Sequence, residues 1–208
     1  MADSTDSADE QSVWSLDGHD VALSRRDEPL WPESGLTKGD LLAYYRDMAP
    51  TMLPYFVDRP VTLYVCPGGI AGRCFYRRDL PDGAPPWLRS VDYRPASRAT
   101  GPETRLPLVD DAAGLIWLAN AGAIEFHLWT ARAPDLTRPD QAVFDLDPGE
   151  AATFAQALEA AELLYGVLTD LGMKAFAKTS GGRGVHVVLP VAPGPSYADV
   201  RGWVKSVA

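Results

Sequence analysis

The sequence lacks any long hydrophobic segment. No apolar run approaches the roughly 20 residues that a membrane helix requires, so the sequence predicts no membrane span. The first twelve residues, MADSTDSADEQS, are acidic and polar and lack the apolar core of a signal peptide. We therefore expect residues 1–12 to form a disordered acidic tail and residues 13–208 to form the folded part of the chain.

Cysteine and histidine are both scarce, with two cysteines and three histidines in 208 residues. This set offers no plausible Cys/His zinc site, so any metal here would be a hard cation held by oxygen ligands. Cys66 and Cys74 flank PGGIAGR and could approach each other across a hairpin. Because the sequence shows no export signal, we expect two reduced thiols.

The formal net charge of -9 argues against a protein that coats nucleic acid nonspecifically. The charge is uneven, however, and residues 71–105 contain seven arginines against four acidic residues. This segment is compatible with a local polyanion site, although scattered solvated arginines explain the charge equally well.

The order of predicted elements indicates an α+β fold with mixed or antiparallel sheets flanked by helices. GLTKGDLLAYYRDMAPTMLPYF predicts a helix that Thr37 caps, with Asp40 three residues later. GEAATFAQALEAAELLYGVLTDLG predicts a second helix, and QAVFDLD, MKAFAKTS and GVHVVLPV predict strands. The apolar stripe of the second helix is predicted to comprise Phe154, Leu158, Ala161, Leu164, Leu168 and Leu171.

Asp145 and Asp147 end the predicted strand QAVFDLD, with one apolar residue between them. Side chains at i and i+2 of a strand point to the same face, and two close carboxylates repel each other unless a cation lies between them. Mg²⁺ or Mn²⁺ would suit this pair, and two such ions can assist phosphoryl transfer. A solvated strand end before a Pro-Gly turn explains the same residues and is favoured when the pair is considered alone.

The segment KTSGGRGVHVVLP has the composition of a phosphate-binding turn. Its glycines permit a tight turn whose N–H groups can face an anion, and Ser180, Arg183 and His186 add a hydroxyl, a positive charge and a donor. The segment is not a P-loop, because no Gly-Lys-Ser/Thr opens a helix. A tight Gly-Gly turn is the commoner explanation, but the preceding strand–helix–strand that begins with the acid pair favours phosphate binding.

Two further segments carry candidate binding residues. His127 in AIEFHLW could contact a nucleotide sugar or phosphate, although a histidine between Phe and Leu is more often a core residue. In CFYRR, Phe75 and Tyr76 could stack on a base while an adjacent arginine, Arg77 or Arg78, contacts phosphate. From spacing alone, a hairpin with aromatic packing explains this segment better.

Taken together, the sequence resembles the polymerase domain of bacterial ATP-dependent DNA ligase D, of the archaeo-eukaryotic primase superfamily. Five segments are similar and occur in the family's order: LWPESGLTKGDLLAYYRDMAPTMLPYFVDRPVTL, CFYRRDLPDGAPPWL, LIWLANAGAIEFHLW, VFDLDPGE and KTSGGRGVHVVLP. They cover nearly everything after residue 25, and DLDP and TSGGRGVH are the most specific. The resemblance implies that residues 13–208 form a primase-polymerase domain with an RRM-like catalytic core.

The resemblance also implies an activity. The protein would extend DNA ends in repair by nonhomologous end joining, by two-metal transfer of a nucleotide to a primer 3′-OH with Mn²⁺ or Mg²⁺. Implied partners are DNA with 5′-phosphate ends or gaps, NTP or dNTP, Ku and a DNA ligase, in a cytoplasmic, nucleoid-associated location. The implied residues are Asp145 and Asp147 for metal and catalysis, Ser180, Arg183, His186 and His127 for the nucleotide, and Lys38, Phe75, Tyr76 and Arg78 for DNA.

The sequence departs from the family pattern in three ways. Arg183 stands where the family usually has lysine, and Glu28 is the nearest residue to the place of a second phosphate-binding lysine. The family's later region, with a third metal-binding aspartate and a further triphosphate-binding arginine, has no counterpart, so we expect a C-terminally incomplete domain. An inactive remnant that binds DNA ends or nucleotides is therefore an alternative, and a metal-dependent phosphohydrolase is a weaker one.

Overall fold

Short antiparallel sheets and helices alternate along the chain, which confirms the predicted α+β fold class. The computed structural model describes residues 12–95, 100 and 102–207. The contacts divide the chain into two units, residues 1–129 and residues 130–208. Of the predicted acidic tail, residues 1–11 lie outside the described residues, and the carbonyl of Ser12 accepts a hydrogen bond from the N–H of Leu23 at 2.8 Å.

The first unit contains nine strands and two helices within its described residues. The strands are β1 (Val13–Leu16), β2 (His19–Ala22), β3 (Pro29–Trp31), β4 (Leu36–Thr37), β5 (Val61–Val65), β6 (Phe75–Arg77), β7 (Ser90–Tyr93), β8 (Thr104–Pro107) and β9 (Ala123–Leu128). The helices are α1 (Lys38–Phe56) and α2 (Ala112–Asn120). The strands form three two-stranded sheets, β1-β2, β3-β4 and β7-β8, and one three-stranded sheet in the order β6-β5-β9.

Helix α1 begins where the sequence predicts it. Thr37 Oγ1 accepts from the N–H of Asp40, and the Asp40 carboxylate accepts from the N–H of Thr37 at 2.8 Å, which completes a capping box. The Asp40 carboxylate accepts hydrogen bonds from the backbone N–H and from the hydroxyl of Thr37, and these two bonds, the backbone one foremost, lower the pKa of Asp40. The box fixes the first turn of α1, and Lys38 is its first residue.

Tyr45 joins α1 to strand β9. Its hydroxyl donates to the carbonyl of Ile124 at 2.8 Å, and its ring meets Phe126 edge-on at 5.0 Å. Burial, with smaller contributions from Tyr44 and Glu125, raises the pKa of Tyr45, so the phenol stays a neutral donor. Strand β9 is thereby held against the core formed by α1 and α2, and its outer side chains are left for other contacts.

The prediction of two reduced thiols was wrong. Cys66 and Cys74 form a disulfide, with their Cα atoms 4.3 Å apart. Cys66 follows β5 directly and Cys74 precedes β6, and these two strands pair antiparallel with Val65 opposite Phe75. The hairpin therefore brings the two Cβ atoms within bonding reach, as the spacing alone had left open.

The second unit contains five strands and two helices within its described residues. The strands are β10 (Ala131–Arg132), β11 (Asp135–Pro139), β12 (Gln141–Leu146), β13 (Phe176–Thr179) and β14 (Val185–Pro190), and the helices are α3 (Phe154–Asp170) and α4 (Tyr197–Val207). Strands β10 and β11 form a hairpin, and the other three form an antiparallel sheet in the order β12-β14-β13. The predicted strands and helices of this segment are all present.

The three-stranded sheet of the second unit has one buried and one open face. Phe144, Val185, Val187 and Leu189 are at most 5% exposed and pack with α3 and with Trp203 of α4. Because successive strand residues point to opposite faces, the residues between them, His186 among them, lie on the open face. Burying this apolar set fixes which polar side chains share the other face.

The predicted apolar stripe of α3 is only partly right. Ala161 and Leu168 are buried, but Phe154, Leu158 and Leu171 are 42%, 43% and 57% exposed. Instead, the buried face is extended by Ala157. A three-stranded sheet covers only a narrow strip of a helix, so one row of residues is buried and the flanking apolar residues stay outside.

None of the helices in the described part of the chain combines the length and the apolar character that a membrane crossing requires.

Reduction of the Cys66–Cys74 bond should lower the free energy of unfolding by about 2–3 kcal/mol, because the bond removes loop-closure entropy from the unfolded chain at a separation of 8 residues. Urea denaturation of the oxidised and the reduced protein measures this difference. A Cys66→Ser/Cys74→Ser variant is the control, since its midpoint should not respond to reductant. Equal midpoints for a protein shown to lose its disulfide would contradict the expectation.

Candidate functional site

The open face of the β12-β14-β13 sheet carries the first of the two acids. Antiparallel pairing places Asp145 opposite His186, and His186 in turn opposite Lys178. Asp145 Oδ1 lies 3.3 Å from His186 Nε2, and the carboxylate is 59% exposed against 28% for the imidazole. A carboxylate, an imidazole and an ammonium thus follow one another across the three strands.

Asp147 is the first residue after β12, and its side chain lies beside Gly184 of the turn that precedes β14. Its Oδ1 lies against the place that a Cβ on Gly184 would occupy, and the carbonyl of Leu146 lies 2.9 Å from that place. Glycine is therefore required here for close approach rather than for a positive φ. The loop glycine leaves room for the carboxylate of Asp147, which follows Asp145 by two residues in the chain.

The two carboxylates suit a hard divalent cation. Both side chains are exposed, and neither is buried among apolar groups. Mg²⁺ and Mn²⁺ are commonly held by one or two carboxylates, with waters and substrate phosphates completing the shell. Among residues 12–95, 100 and 102–207, no group of three or more His, Cys, Asp or Glu side chains is placed to hold a metal. The donor set therefore fits a cation whose shell other ligands complete.

Ser180 organises the turn between β13 and β14. Its hydroxyl oxygen accepts hydrogen bonds from the N–H of Gly182 at 3.2 Å and of Gly184 at 3.1 Å, and its own N–H donates to the carbonyl of Gly184 at 3.1 Å. A hydroxyl has one proton and two acceptor positions. With its acceptor side used inside the turn, Ser180 has its O–H proton to offer to an anion.

Arg183, the cation of the turn, is anchored to another loop. Its Nη2 donates to the carbonyl of Ala152 at 2.8 Å, in the segment between β12 and α3. A guanidinium has five N–H donors in a fixed fork, so one such bond leaves others for a ligand. This hydrogen bond connects the turn between β13 and β14 to the segment that follows Asp147.

Two candidate residues of the first unit, Tyr76 and His127, meet on one face of the β6-β5-β9 sheet. Tyr64 of β5 lies opposite Tyr76 on one side and Glu125 on the other. The rings of Tyr76 and His127 meet edge-on at 5.3 Å, and His127 Nε2 lies 2.8 Å from Glu125 Oε2. His127 is therefore an exposed residue that contacts Glu125 and Tyr76, and the alternative that it is a core histidine is wrong.

Phe75 and Tyr76 do not form one stacking platform. As neighbours in a strand they point to opposite faces, with Phe75 41% and Tyr76 64% exposed. Only Tyr76 joins the face that carries His127. Arg78 follows β6 directly and is exposed.

Lys38 lies in a small cavity of the first unit. It is only 3% exposed, its Nζ donates to Ser24 Oγ at 3.3 Å, and its backbone N–H donates to the carbonyl of Glu28 at 2.8 Å. The Glu28 carboxylate pairs with Arg25 at 3.3 Å at the same cavity. The lining charges thus sum to one positive charge, so Glu28 does not make the cavity anionic. The lining comprises Arg25, Glu28, Leu30, Lys38, Leu41, Cys66, Pro67, Ala119 and Gly122.

Two neighbours of the candidate residues were not identified from the sequence. Glu125 bonds to His127, and Lys178 lies across from His186. The spacing of two residues between Glu125 and His127, in a predicted strand, was a usable signal. Lys178 had no such signal, because its place beside His186 follows from the pairing of two strands.

Comparisons with known proteins identify the family of the chain. The family model of the LigD primase-polymerase domain matches residues 37–208. The multifunctional non-homologous end joining protein LigD of Mycolicibacterium smegmatis is 33% identical over 200 residues, which is 94% of this chain and 26% of the relative. The DNA repair protein LigD of Mycobacterium tuberculosis is 37% identical over 196 residues, 90% of this chain and 25% of the relative. The chain thus spans about a quarter of the length of the curated relatives it matches.

A solved structure supports the same assignment. The polymerase domain of Mycobacterium tuberculosis ligase D in complex with DNA superposes with a TM-score of 0.82 at 33% sequence identity, covering 90% of this chain and 67% of that chain. The resemblance inferred from the sequence is thereby confirmed. Because the family model spans most of the sequence and the structure agrees in fold, the chain belongs to the LigD primase-polymerase domain family.

Proposed function

We propose that the protein is a DNA-end-extending nucleotidyltransferase of nonhomologous end joining, with residues 13–208 as its primase-polymerase domain. The observation that carries the proposal is the placement of Asp145 opposite His186, with Oδ1 and Nε2 3.3 Å apart, and of Asp147 beside Gly184 of the glycine turn. A carboxylate pair next to an anion-binding turn is the arrangement that nucleotidyl transfer needs. Membership of the LigD primase-polymerase family supports the same activity.

Asp145 and Asp147 would hold the divalent cations, Mn²⁺ or Mg²⁺. Cations bound there would stabilise the negative charge that develops on the phosphoryl oxygens during transfer to a primer 3′-OH. His186 would steady Asp145 through their close contact, and Gly184 would keep the space that Asp147 requires.

The turn between β13 and β14 would bind the triphosphate of an NTP or dNTP. The Ser180 hydroxyl offers its proton, Arg183 offers the donors that Ala152 does not use, and His186 adds a donor at the start of β14. Arginine in place of the family's usual lysine supports a forked rather than a single-point contact with phosphate. His127, held by Glu125 and Tyr76, is proposed as a further nucleotide contact.

The first unit would bind DNA through two separate features. Lys38, the first residue of α1, and Arg25 beside it are proposed to contact the 5′-phosphate at a gap, because their positive charges and the N-terminus of the helix attract an anion. Tyr76 offers an exposed ring for stacking on a base, and Phe75 and Arg78 lie on either side of it in sequence. A 5′-phosphate end or gap is therefore the proposed DNA partner.

Ku, a DNA ligase and a nucleoid-associated cytoplasmic location are proposed from the family role. The support is that the similar relatives are named as proteins of non-homologous end joining.

A second candidate function is binding of DNA ends or nucleotides without catalysis. The observation that favours it is that the described residues bring together no three metal ligands. Two carboxylates can hold a cation weakly, and transfer is sensitive to small displacements at such a site. The two candidates differ in whether substitution of Asp145 has any effect beyond binding.

Asp145→Ala should reduce primer extension by at least about 100-fold, because catalytic groups displaced by even one ångström cost that much. Extension is measured on gapped DNA with a 5′-phosphate, with Mn²⁺ and each nucleotide in turn. Binding of the DNA should change little. Asp170→Ala, at the exposed end of α3, is the matched control and should retain activity.

No extension by the folded wild-type protein, with DNA binding retained, would favour the non-catalytic candidate. Extension that survives in Asp145→Ala would contradict the proposed role of the carboxylate.

Lys38→Met should weaken binding to gapped DNA that carries a 5′-phosphate about tenfold, while binding to the same DNA with a 5′-hydroxyl stays unchanged. The loss is that of a charge-assisted hydrogen bond, about 1.5–3 kcal/mol, and methionine retains the apolar stem in a site that is 3% exposed. Fluorescence anisotropy with the two DNAs measures the ratio. Lys205→Met, in the last turn of α4, is the matched control. An unchanged ratio in Lys38→Met would remove Lys38 from phosphate recognition.

A further inference from the structure

The Cys66–Cys74 disulfide borders the Lys38 cavity. Cys66 and Pro67 are part of the cavity lining, together with Lys38 and Leu41. Cys66 is 1% exposed, and its N–H donates to the carbonyl of Gly122, another lining residue, at 3.1 Å. One sulfur of the bond therefore belongs to a residue that shapes the proposed phosphate site.

The loop that the disulfide closes, residues 67–73, also supports a second part of the lining. The N–H of Ile70 donates to the carbonyl of Leu30 at 2.9 Å, and Leu30 lines the cavity. Gly69, with φ of +76°, packs so closely that a Cβ there would lie 2.9 Å from the carbonyl oxygens of Pro29 and Leu30. The loop is thus fitted against the segment that follows Glu28.

We propose that Cys66–Cys74 is a redox modification site that sets the affinity of the Lys38 cavity for a 5′-phosphate. The inference rests on the proposed function, because the phosphate is the occupant proposed there. The oxidised form holds the 67–73 loop against the Pro29–Leu30 side of the lining, and the reduced form loosens that loop. Disulfides of reducing compartments are usually transient and act in redox sensing.

The two sulfurs differ in solvent accessibility, and this difference determines which sulfur a reductant attacks. Cys74 is half-buried whereas Cys66 is buried, so the thiolate of a dithiol reductant attacks Cys74 Sγ. The S–S bond breaks, and its electron pair leaves on Cys66 Sγ, which takes up a proton. The second thiol of the reductant then attacks the mixed disulfide, releasing Cys74 as a thiol and the reductant as a disulfide. A disulfide oxidant reverses the sequence.

Reduction should affect the cavity more than the strands. Strand β6 remains paired with β5 through three opposed residue pairs, from Leu63↔Arg77 to Val65↔Phe75. Tyr76 therefore keeps its place beside Tyr64 and His127. The loop loses the bond that closes it and keeps weaker restraints, among them the hydrogen bonds from Gly69 N–H to the Cys66 carbonyl at 3.1 Å and from Ile70 N–H to the Leu30 carbonyl at 2.9 Å. The change in affinity should therefore be specific for the 5′-phosphate.

The test compares the oxidised protein with the same protein reduced by dithiothreitol. Anisotropy measures the affinity for gapped DNA with a 5′-phosphate and with a 5′-hydroxyl, and thiol titration counts free thiols in each sample. Reduction should lower the phosphate-to-hydroxyl affinity ratio about fivefold, at the low end of coupling between linked sites. Re-oxidation should restore it. Cys66→Ala/Cys74→Ala should show the low ratio with and without reductant.

The outcomes separate this inference from the proposed function. An unchanged ratio on complete reduction, with Lys38→Met still abolishing phosphate preference, would overturn the redox inference alone. Free thiols that persist under oxidant would also overturn it. If Lys38→Met has no effect, the proposed phosphate site fails, whatever the redox state does.

Discussion

The register between β12 and β14 is the constraint on which the candidate site depends. Phe144, Val187 and Leu189 must be buried against α3 and α4, and the period of two in a strand then sends the intervening side chains to the open face. Asp145 and His186 are such residues, and Asp147, the first residue after the strand, lies beside Gly184. A shift of the β12–β14 pairing by one residue would turn Asp145 toward the core and expose the apolar side chains. Burial of the apolar set therefore also determines where Asp145 lies.

The first unit applies the same logic to a different surface. Tyr45 and the apolar residues of α1 and α2 hold β9 from behind, and the outer residues Glu125 and His127 then face outward beside Tyr76. The capping box places Lys38 at the start of α1, where the helix dipole adds to its charge. In both units, burial of an apolar layer determines which polar side chains lie together on the exposed face.

The departures from the sequence-based predictions share one cause, which is that the outcome depended on which residues the fold made neighbours. Phe154, Leu158 and Leu171 fit a helical stripe, but the narrow sheet covers only the row with Ala161 and Leu168. The cysteines were expected as thiols from compartment rules, yet the β5–β6 pairing brings them within bonding reach. Glu28, which lies near the place of a second lysine in the family pattern, forms an ion pair with Arg25 at 3.3 Å.

Local structural elements and the family could be predicted from the amino-acid sequence alone. Short-range sequence patterns predict the cap at Thr37, the strand that ends in two acids and the glycine turn. They can do so because capping, alternation and turn chemistry act over a few residues. The tertiary structure alone decided which residues are neighbours across strands. Lys178 beside His186, Arg183 bonded to Ala152 and Cys66 beside the Lys38 cavity arise from pairing and packing between distant segments. Such contacts depend on which surfaces are buried together, and a one-dimensional pattern does not specify that.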